Sequence, residues 1–323
     1  MTIHQKTIEF SWTHPLDPKP IGELFAACFQ APFSDALWKW KYGKDSKCIT
    51  AWTNGQAIGH YAGIPRTILL MSKPISMVQI TDVMVHPKER TAYGKKGIFF
   101  QMASRFLKRY VGYDKEFLQA FGFPNERHTR LGILLGVYGR ADKMWHVEWQ
   151  PLEHAPFTFY KNKTILYSDA TLTRIIPRLW QRMQGSLTHY LVPKRDTGYI
   201  IHRYFQHPEI KYQVHGVFHR ILGHCKGVFV LRPHENSSFE LMDLMADAQD
   251  MPMVLAFARY EVARQKGLSL FSWMSEPMAN QLGKDAKLTD IQVTVPCITW
   301  TPCPPPEELQ GKWWLMSGDT DWR

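Results

Sequence analysis

Residues 83–103, VMVHPKERTAYGKKGIFFQMA, constrain the fold more than any other stretch of this chain. They read as a short apolar strand, a stop at His86-Pro87, a basic glycine-containing loop and then a helix. That order builds an anion site out of backbone. A strand delivers the chain to a loop whose glycines let the main chain approach a ligand closely. The helix that follows opens with unpaired N–H groups and the positive end of its dipole. Arg90, Lys95 and Lys96 add positive charge at the same place, so a pyrophosphate would be held well there.

The spacing excludes two common phosphate loops. Ile98 and Phe99 follow Gly94-Lys95-Lys96-Gly97, which is not GxxxxGK[ST], and no GxGxxG is present. The segment resembles the acetyl-CoA loop of the GNAT acyltransferases. In that family an apolar strand ending Val-x-Pro leads to an Arg, a Gly-x-Gly turn and a long helix. Here Val85-His86-Pro87 leads to Arg90, then to Gly94, Lys95, Lys96, Gly97 and Ile98. Roughly four extra residues separate Arg90 from the turn, and Phe99 stands where many members have a small residue.

A second segment carries the same resemblance. In FLQAFGFPNERHTRLGILLGV, residues 117–137, an apolar strand ends at Phe123-Pro124 and Asn125 stands at a helix N-cap position. Leu131, Leu134 and Leu135 form an apolar stripe at helical spacing, and Gly136 closes the helix. GNAT members carry a matching strand, Asn, helix and Leu-Gly-aromatic block. Many have a tyrosine four residues before that glycine, acting as general acid toward the CoA thiolate. This chain has Gly132 there, which leaves Tyr138 as a possible substitute. The resemblance is closer to a bacterial subgroup with a Trp-rich N-terminal region (Trp38-Lys39-Trp40-Lys41-Tyr42), an Asp-Val-x-Val-His-Pro strand (Asp82–Pro87), a Gly-Phe-Pro-Asn turn (Gly122–Asn125) and a Gly-Asp-x-Asp ending (Gly318–Asp321).

The resemblance implies an α/β (α+β) GNAT fold. Its sheet is mixed, mostly antiparallel, and split where pantetheine inserts beside Val83 and Val85. The expected elements of the first half are helices at 20–30 and 34–42, and strands at 48–53 and 57–71 joined by an Asn54-Gly55 hairpin turn. A central strand at 77–86, a helix at 97–111, a strand at 117–123, a helix at 126–135 and a strand at 142–150 follow. Pro65 inside the second strand predicts a bulge or an edge position. A cut near residue 150 gives a catalytic domain, 1–150, and a degenerate second GNAT-like domain with a C-terminal tail, 151–323. In the second half the order repeats. Helices interrupted around Pro177 lead to strands at 212–222, 226–231 and 239–245, a helix at 251–266, a strand at 268–274, a short helix at 275–283 and a strand at 289–300. His202-Arg203-Tyr204 loosely echoes Trp40-Lys41-Tyr42, but Asp247–Asp250 offers no glycine loop, so the second copy should not bind CoA.

Composition narrows the class. With 323 residues, 45% hydrophobic and 21% charged, the chain is an ordinary globular one. No apolar run reaches the length of a membrane span, and no signal-peptide pattern opens the sequence. Five scattered cysteines without a CxxC pair imply neither a disulfide framework nor a metal site and suit a reducing cytoplasm. The net charge of +10 suits an anionic ligand; the basic residues are spread out and match no nucleic-acid-binding motif.

Acyl transfer to an amine needs a proton acceptor, donors for the developing oxyanion, and a thiolate that can leave. Asp82 is the first candidate base, with His86 as another, and the Met84 backbone N–H is a candidate oxyanion donor. Strand alternation places Asp82 and Met84 on one face, Val83 and Val85 on the other. Asp319 and Asp321 would either bind substrate from a tail folded over the groove or sit in a solvated turn. The leading expectation is an acetyl-CoA-dependent N-acetyltransferase acting on a small polar amine, with an amino sugar as one such acceptor. The alternatives are a Fem-type transferase using aminoacyl-tRNA and a non-catalytic CoA-binding protein.

Overall fold

The computed structural model describes residues 7–13, 18–90, 94–168 and 170–320. The first half runs β1 (Glu9–Thr13), α1 (Lys19–Phe29), α2 (Asp35–Lys41), β2 (Lys47–Thr53), β3 (Gln56–Leu70), β4 (Lys73–Val85), α3 (Ile98–Tyr110), β5 (Gln119–Phe121), α4 (Glu126–Leu134) and β6 (Tyr138–Trp149). Local chemistry sets these boundaries. Ser34 caps α2 by accepting the Leu37 N–H at 3.2 Å. Asn54 and Gly55 turn β2 into β3 with φ of 47° and 75°, the left-handed pair a two-residue hairpin needs. Met71 and Ser72 make the next turn with φ of 50° and 62°, in residue types that do not advertise it, so β4 begins four residues before its expected start. Pro65 falls in a gap on one edge of β3: β2 pairs with it as far as Gly63, and β8 (Leu191–Pro193) takes over at Ile68.

The second half repeats the order. It runs β7 (Tyr160–Thr164), α5 (Ala170–Ser186), β8, α6 (Thr197–Ile200), β9 (Gln213–His219), β10 (Cys225–Pro233), β11 (Ser238–Ala246), α7 (Met251–Arg264), β12 (Ser269–Ser275), α8 (Glu276–Leu282), β13 (Lys287–Ile298) and the short α9 (Pro306–Leu309). Helix α5 is continuous through Pro177, against the expected interruption. The proline removes one ladder hydrogen bond. The buried face of Leu172, Ile176, Leu179, Trp180 and Met183 holds the helix together across it.

Two compact units result, and neither is one continuous piece. The first comprises Met1–Arg66, Ile75–Ala141 and Thr294–Leu309; the second comprises Thr67–Pro74, Asp142–Val293 and Gln310–Arg323. The division falls after Ala141 and again at Val293–Thr294, whereas the expected cut lay at residue 150. One buried side chain ties the returning segment to the first unit. Gln119 on β5 donates to the carbonyls of Ile298 at 3.1 Å and Pro304 at 2.9 Å, and accepts from the Ile298 N–H at 2.7 Å. Those bonds hold residues 298–304 in the first unit.

In the first unit the sheet order is β1-β2-β3-β4-β5, antiparallel at β1–β2 and β2–β3 and parallel at β4–β5. Helix α3 packs on it through Ile98, Met102 and Phe106, in close contact with Gly59 and Gly63 of β3. A Cβ at Gly63 would lie 2.9 Å from Phe106 Cζ on α3, so the close approach of α3 depends on the missing side chain. The other face carries α1 and α2, whose Ile21, Leu24, Trp38 and Tyr42 pack with Met84. In the second unit the order is β13-β6-β12-β11-β10-β9-β7, again with one parallel pair, β11–β12. The mixed, mostly antiparallel α/β fold expected from the sequence is the fold observed.

Candidate active site

The parallel pairing of β4 with β5 covers only Met77–Gln79 against Gln119–Phe121. β4 continues to Val85, while β5 stops and Gly122–Asn125 turns away. Residues 80–85 therefore lie beyond the β4–β5 pairing, which leaves a parting beside Val83 and Val85. Gly122 marks the parting: a Cβ there would sit 3.1 Å from the Ile80 carbonyl oxygen.

Asp82 interrupts β4 just past the parting with φ of 45°, a left-handed backbone in mid-strand. Its carboxylate is fixed by Lys41 Nζ at 2.8 Å and by a hydrogen bond from the Tyr42 hydroxyl. Burial pushes this carboxyl up, but Lys41 and Tyr42 outweigh burial and hold it below the ordinary value. Asp82 is thus an anion across the neutral range. His60 on β3 is fully buried nearby, its Nδ1 3.3 Å from the Thr50 hydroxyl, and burial pulls it down to about 4, so it is neutral. Its Nε2 has no hydrogen-bond partner. Met84 packs on the α1/α2 face and Val83 and Val85 pack toward α3, as the alternation expected.

Beyond β4, His86 accepts the Lys88 N–H on Nδ1 at 3.3 Å and forms the expected turn. Arg90 folds back, its Nε donating to the Val85 carbonyl at 2.8 Å, so this guanidinium braces the end of β4. Residues 91–93 lie outside the described residues. Gly94 has φ of 65°, and Lys95 and Lys96 are exposed on either side of the turn into α3. Gly97 is the N-cap of α3 and has no side chain to cap it, and no acidic residue lies in the first turn. The first amides of a thirteen-residue helix thus remain open beside two lysines, which fits a pyrophosphate.

The block after β5 also forms as expected at its start. Asn125 caps α4, accepting the His128 N–H at 2.9 Å, and Gly136 ends it at φ of 72°. Glu126 is clamped by Arg130 and Arg140, which hold its carboxyl down to about 2. Of the apolar stripe, Leu135 is buried in the core, whereas Leu131 and Leu134 are 42% and 83% exposed; within α4 the buried residues are Thr129 and Gly132. Gly132 sits against Tyr138. A Cβ at Gly132 would lie 2.0 Å from the Tyr138 ring, so this ring occupies the volume of any side chain at 132. Tyr138 also packs against Phe99 and His128, and its phenol faces that of Tyr61. Burial raises it, keeping the phenol protonated at working pH.

Residues 17–129 match the family model described as acetyltransferase (GNAT) domain. This stretch is therefore similar to a GNAT domain over about a third of the chain. The match supports the expectation of an acyltransferase. A search of curated proteins gives no match. Among solved structures, the chain is similar to a protein from Enterococcus faecalis described as a probable N-acyltransferase. The identity is 12%, the TM-score 0.68, and 95% of this chain and 74% of that one are covered. It is also similar to a tandem GNAT protein from the clavulanic acid biosynthesis pathway (13% identity, TM-score 0.57, 90% and 98% covered). A third is the GCN5-related glucosamine N-acetyltransferase region of a fungal β-N-acetylglucosaminidase (12%, TM-score 0.59, 92% and 38%). At these identities the likeness shows the fold.

Several participants were not legible beforehand. Lys41, Tyr42 and His60 surround Asp82; the first two stand in the Trp-rich motif quoted from the sequence, which gave them no role, and nothing local marked His60. Asp319 is not a solvated turn residue: it is buried, with Arg195 Nη2 at 2.7 Å, inside the second unit. Asp321 lies outside the described residues. The described residues hold no cluster able to bind a metal and no helix long and apolar enough to cross a membrane.

Proposed function

We propose that this protein transfers an acetyl group from acetyl-CoA to the primary amine of a small, hydroxyl-rich acceptor, with an amino sugar as the preferred class. The observation that carries the reading is the parting of β4 from β5 beside the uncapped start of α3. The glucosamine acceptor named for one structural neighbour supports the acceptor class.

When bound, acetyl-CoA supplies the acyl thioester. Gly94, Lys95, Lys96, Gly97 and the Ile98 amide would hold its pyrophosphate, and the free edge of β4 at Val83 and Val85 would hold pantetheine. Arg90 keeps the end of β4 in place, and Asn125 sets the entry of α4. The Met84 N–H is assigned as donor to the oxyanion. Asp82 stays ionised, so it orients the neutral acceptor amine; as the amine's lone pair forms the C–N bond, the N–H becomes acidic enough for a weak carboxylate base, and Asp82 takes that proton. Tyr138, protonated and standing in the volume above Gly132, is the donor toward the leaving thiolate. The second half is read as a degenerate copy whose strand parting serves no cofactor.

Calorimetric titration of acetyl-CoA, CoA and dephospho-CoA into the wild type and a Lys95→Ala/Lys96→Ala/Gly97→Asp variant tests the cofactor site. Binding lost in the variant supports it. No binding to the wild type removes the reading. Thiol release in the presence of amino sugars then separates a catalyst from a mere CoA binder.

A further inference from the structure

Helix α3 carries more positive charge than a diphosphate can use. From Gly94 to Tyr110 the sequence holds Lys95, Lys96, Arg105, Lys108 and Arg109 and no acidic residue. All five are exposed. Among the described residues none of them has a carboxylate within ion-pair distance; Glu116, the nearest acid past the helix to form a pair, is taken by Lys47 at 3.0 Å. The thirteen residues of α3 span about 20 Å, which puts Arg105 about 10 Å and Arg109 about 16 Å along the axis from Ile98. A pyrophosphate at the helix start reaches neither.

The cations are also held in place. Arg105 lies over the Phe10 ring at 4.2 Å and Arg109 over Trp12 at 4.5 Å, on the β1 side. On the other side Lys95 and Lys108 lie over Trp300 at 5.6 and 5.8 Å. Aromatic walls on both flanks reduce the ordering cost of binding an anionic partner. The rings present cation-covered faces, which disfavours base stacking and hence a single-stranded nucleic acid.

We propose that this face of α3 docks an acidic carrier domain whose phosphopantetheine arm brings the acyl thioester to the parting of β4 and β5. The inference rests on the acyl-transfer reading and names a second form of donor for that site. The arm's phosphate meets the start of α3, where CoA's pyrophosphate would lie, and the carrier's acidic surface runs along Arg105, Lys108 and Arg109. The amine nitrogen bonds to the acyl carbon as the carbon–sulfur bond breaks, and the amine's proton ends on the carrier thiol.

The test compares acetyl-CoA with an acetylated, acidic acyl carrier protein as donors to one amine. The proteins are the wild type, an Arg105→Glu/Lys108→Glu/Arg109→Glu variant and the milder triple Gln variant. The expected result is a kcat/KM for the carrier about tenfold or more above that for acetyl-CoA at low salt, falling steeply as salt rises. Both variants should lose about tenfold with the carrier and less than about twofold with acetyl-CoA. A carrier no better than acetyl-CoA, or variants that affect both donors alike, overturns the docking surface. So does a Gln variant that keeps carrier turnover while losing affinity for an anionic vesicle or an oligonucleotide. If neither donor is used, it is the acyl-transfer reading itself that falls.

Discussion

Single side chains decide what this chain can do, and Asp82 shows how. Its left-handed backbone is tolerated because aspartate is among the few residues that adopt it readily, and because Lys41 and Tyr42 fix the carboxylate. Asp82→Asn keeps the shape and the backbone but removes the charge. The expected outcome is a fall in kcat of about a hundredfold, with acetyl-CoA affinity unchanged within about twofold, read by steady-state kinetics and calorimetry. Equal losses in cofactor binding would instead make Asp82 a prop for β4. A different carboxylate carries a pH signature. In the second unit Asp142 is buried and accepts from the Lys143 and Glu276 amides through Oδ1, with the Trp313 amide also facing the carboxyl. Burial pushes it up to about 7 from an ordinary 3.8, and the Glu276 charge adds to the rise. A raised carboxyl costs nothing below the unfolded value and its full penalty above the folded one. Stability from this group therefore falls as pH climbs from about 4 to 7, by about 4 kcal/mol at most. Asp142→Asn should gain stability over the wild type at pH 8 and lose that advantage at pH 5, measured by denaturant midpoints.

At the scale of elements, what was legible followed from periodicity and punctuation, and what was not followed from packing. The α3 loop, the Asn125 cap, the Asn54-Gly55 turn and the run of strands and helices through the second half all declare themselves in local residue types. The Met71-Ser72 turn does not, because neither residue prefers a positive φ. The stripe on α4 misled because helical spacing says that leucines share a face, not that the face is covered. Tyr138 fills the space over Gly132 from another element, and no local pattern could show that. The exchange of volume between positions 132 and 138 is testable. Gly132→Ala alone should destabilise by about 1–3 kcal/mol through overpacking against the Tyr138 ring. Gly132→Tyr combined with Tyr138→Ala restores the family's usual arrangement. That double variant should recover most of the thiol-release rate that Tyr138→Ala loses, if the phenol at this spot is the acid. Gln119 belongs to the same class of invisible residue. Gln119→Leu would orphan the buried Ile298 N–H and the Pro304 carbonyl, at an expected cost of about 2–4 kcal/mol.

At the scale of the whole molecule the two units share an order of elements and differ at their strand partings. In the second unit β11 and β12 pair from Ser238 to Glu240 against Ser269 to Phe271 and then separate, as β4 and β5 do. The second unit also has a tyrosine–aspartate pair: the Tyr204 hydroxyl donates to Asp243 at 2.8 Å, as Tyr42 donates to Asp82. This parting, however, holds the chain's own C-terminal segment. Met316 bridges to Met274, the Ser317 hydroxyl accepts the Trp273 N–H at 2.8 Å, and the Ser275 N–H reaches the Leu315 carbonyl at 2.9 Å. Gly318 passes where a Cβ would meet the Tyr204 hydroxyl at 2.2 Å and the Met242 carbonyl at 2.6 Å. Arg195, fully buried, ties Asp243 to Asp319 at 2.7 Å each and locks the segment in. A strand parting filled this way has no edge left for pantetheine, so calorimetry should give one acetyl-CoA per chain rather than two. The lock has a measurable strength. Asp319→Ala leaves Arg195 with one carboxylate for its buried charge, and the expected loss is about 3–5 kcal/mol of unfolding free energy. Asp319→Asn, which keeps the acceptor oxygen, should lose less. If both variants unfold at the wild-type denaturant midpoint, the segment is not what closes the second parting, and a second mole of acetyl-CoA becomes the outcome to look for.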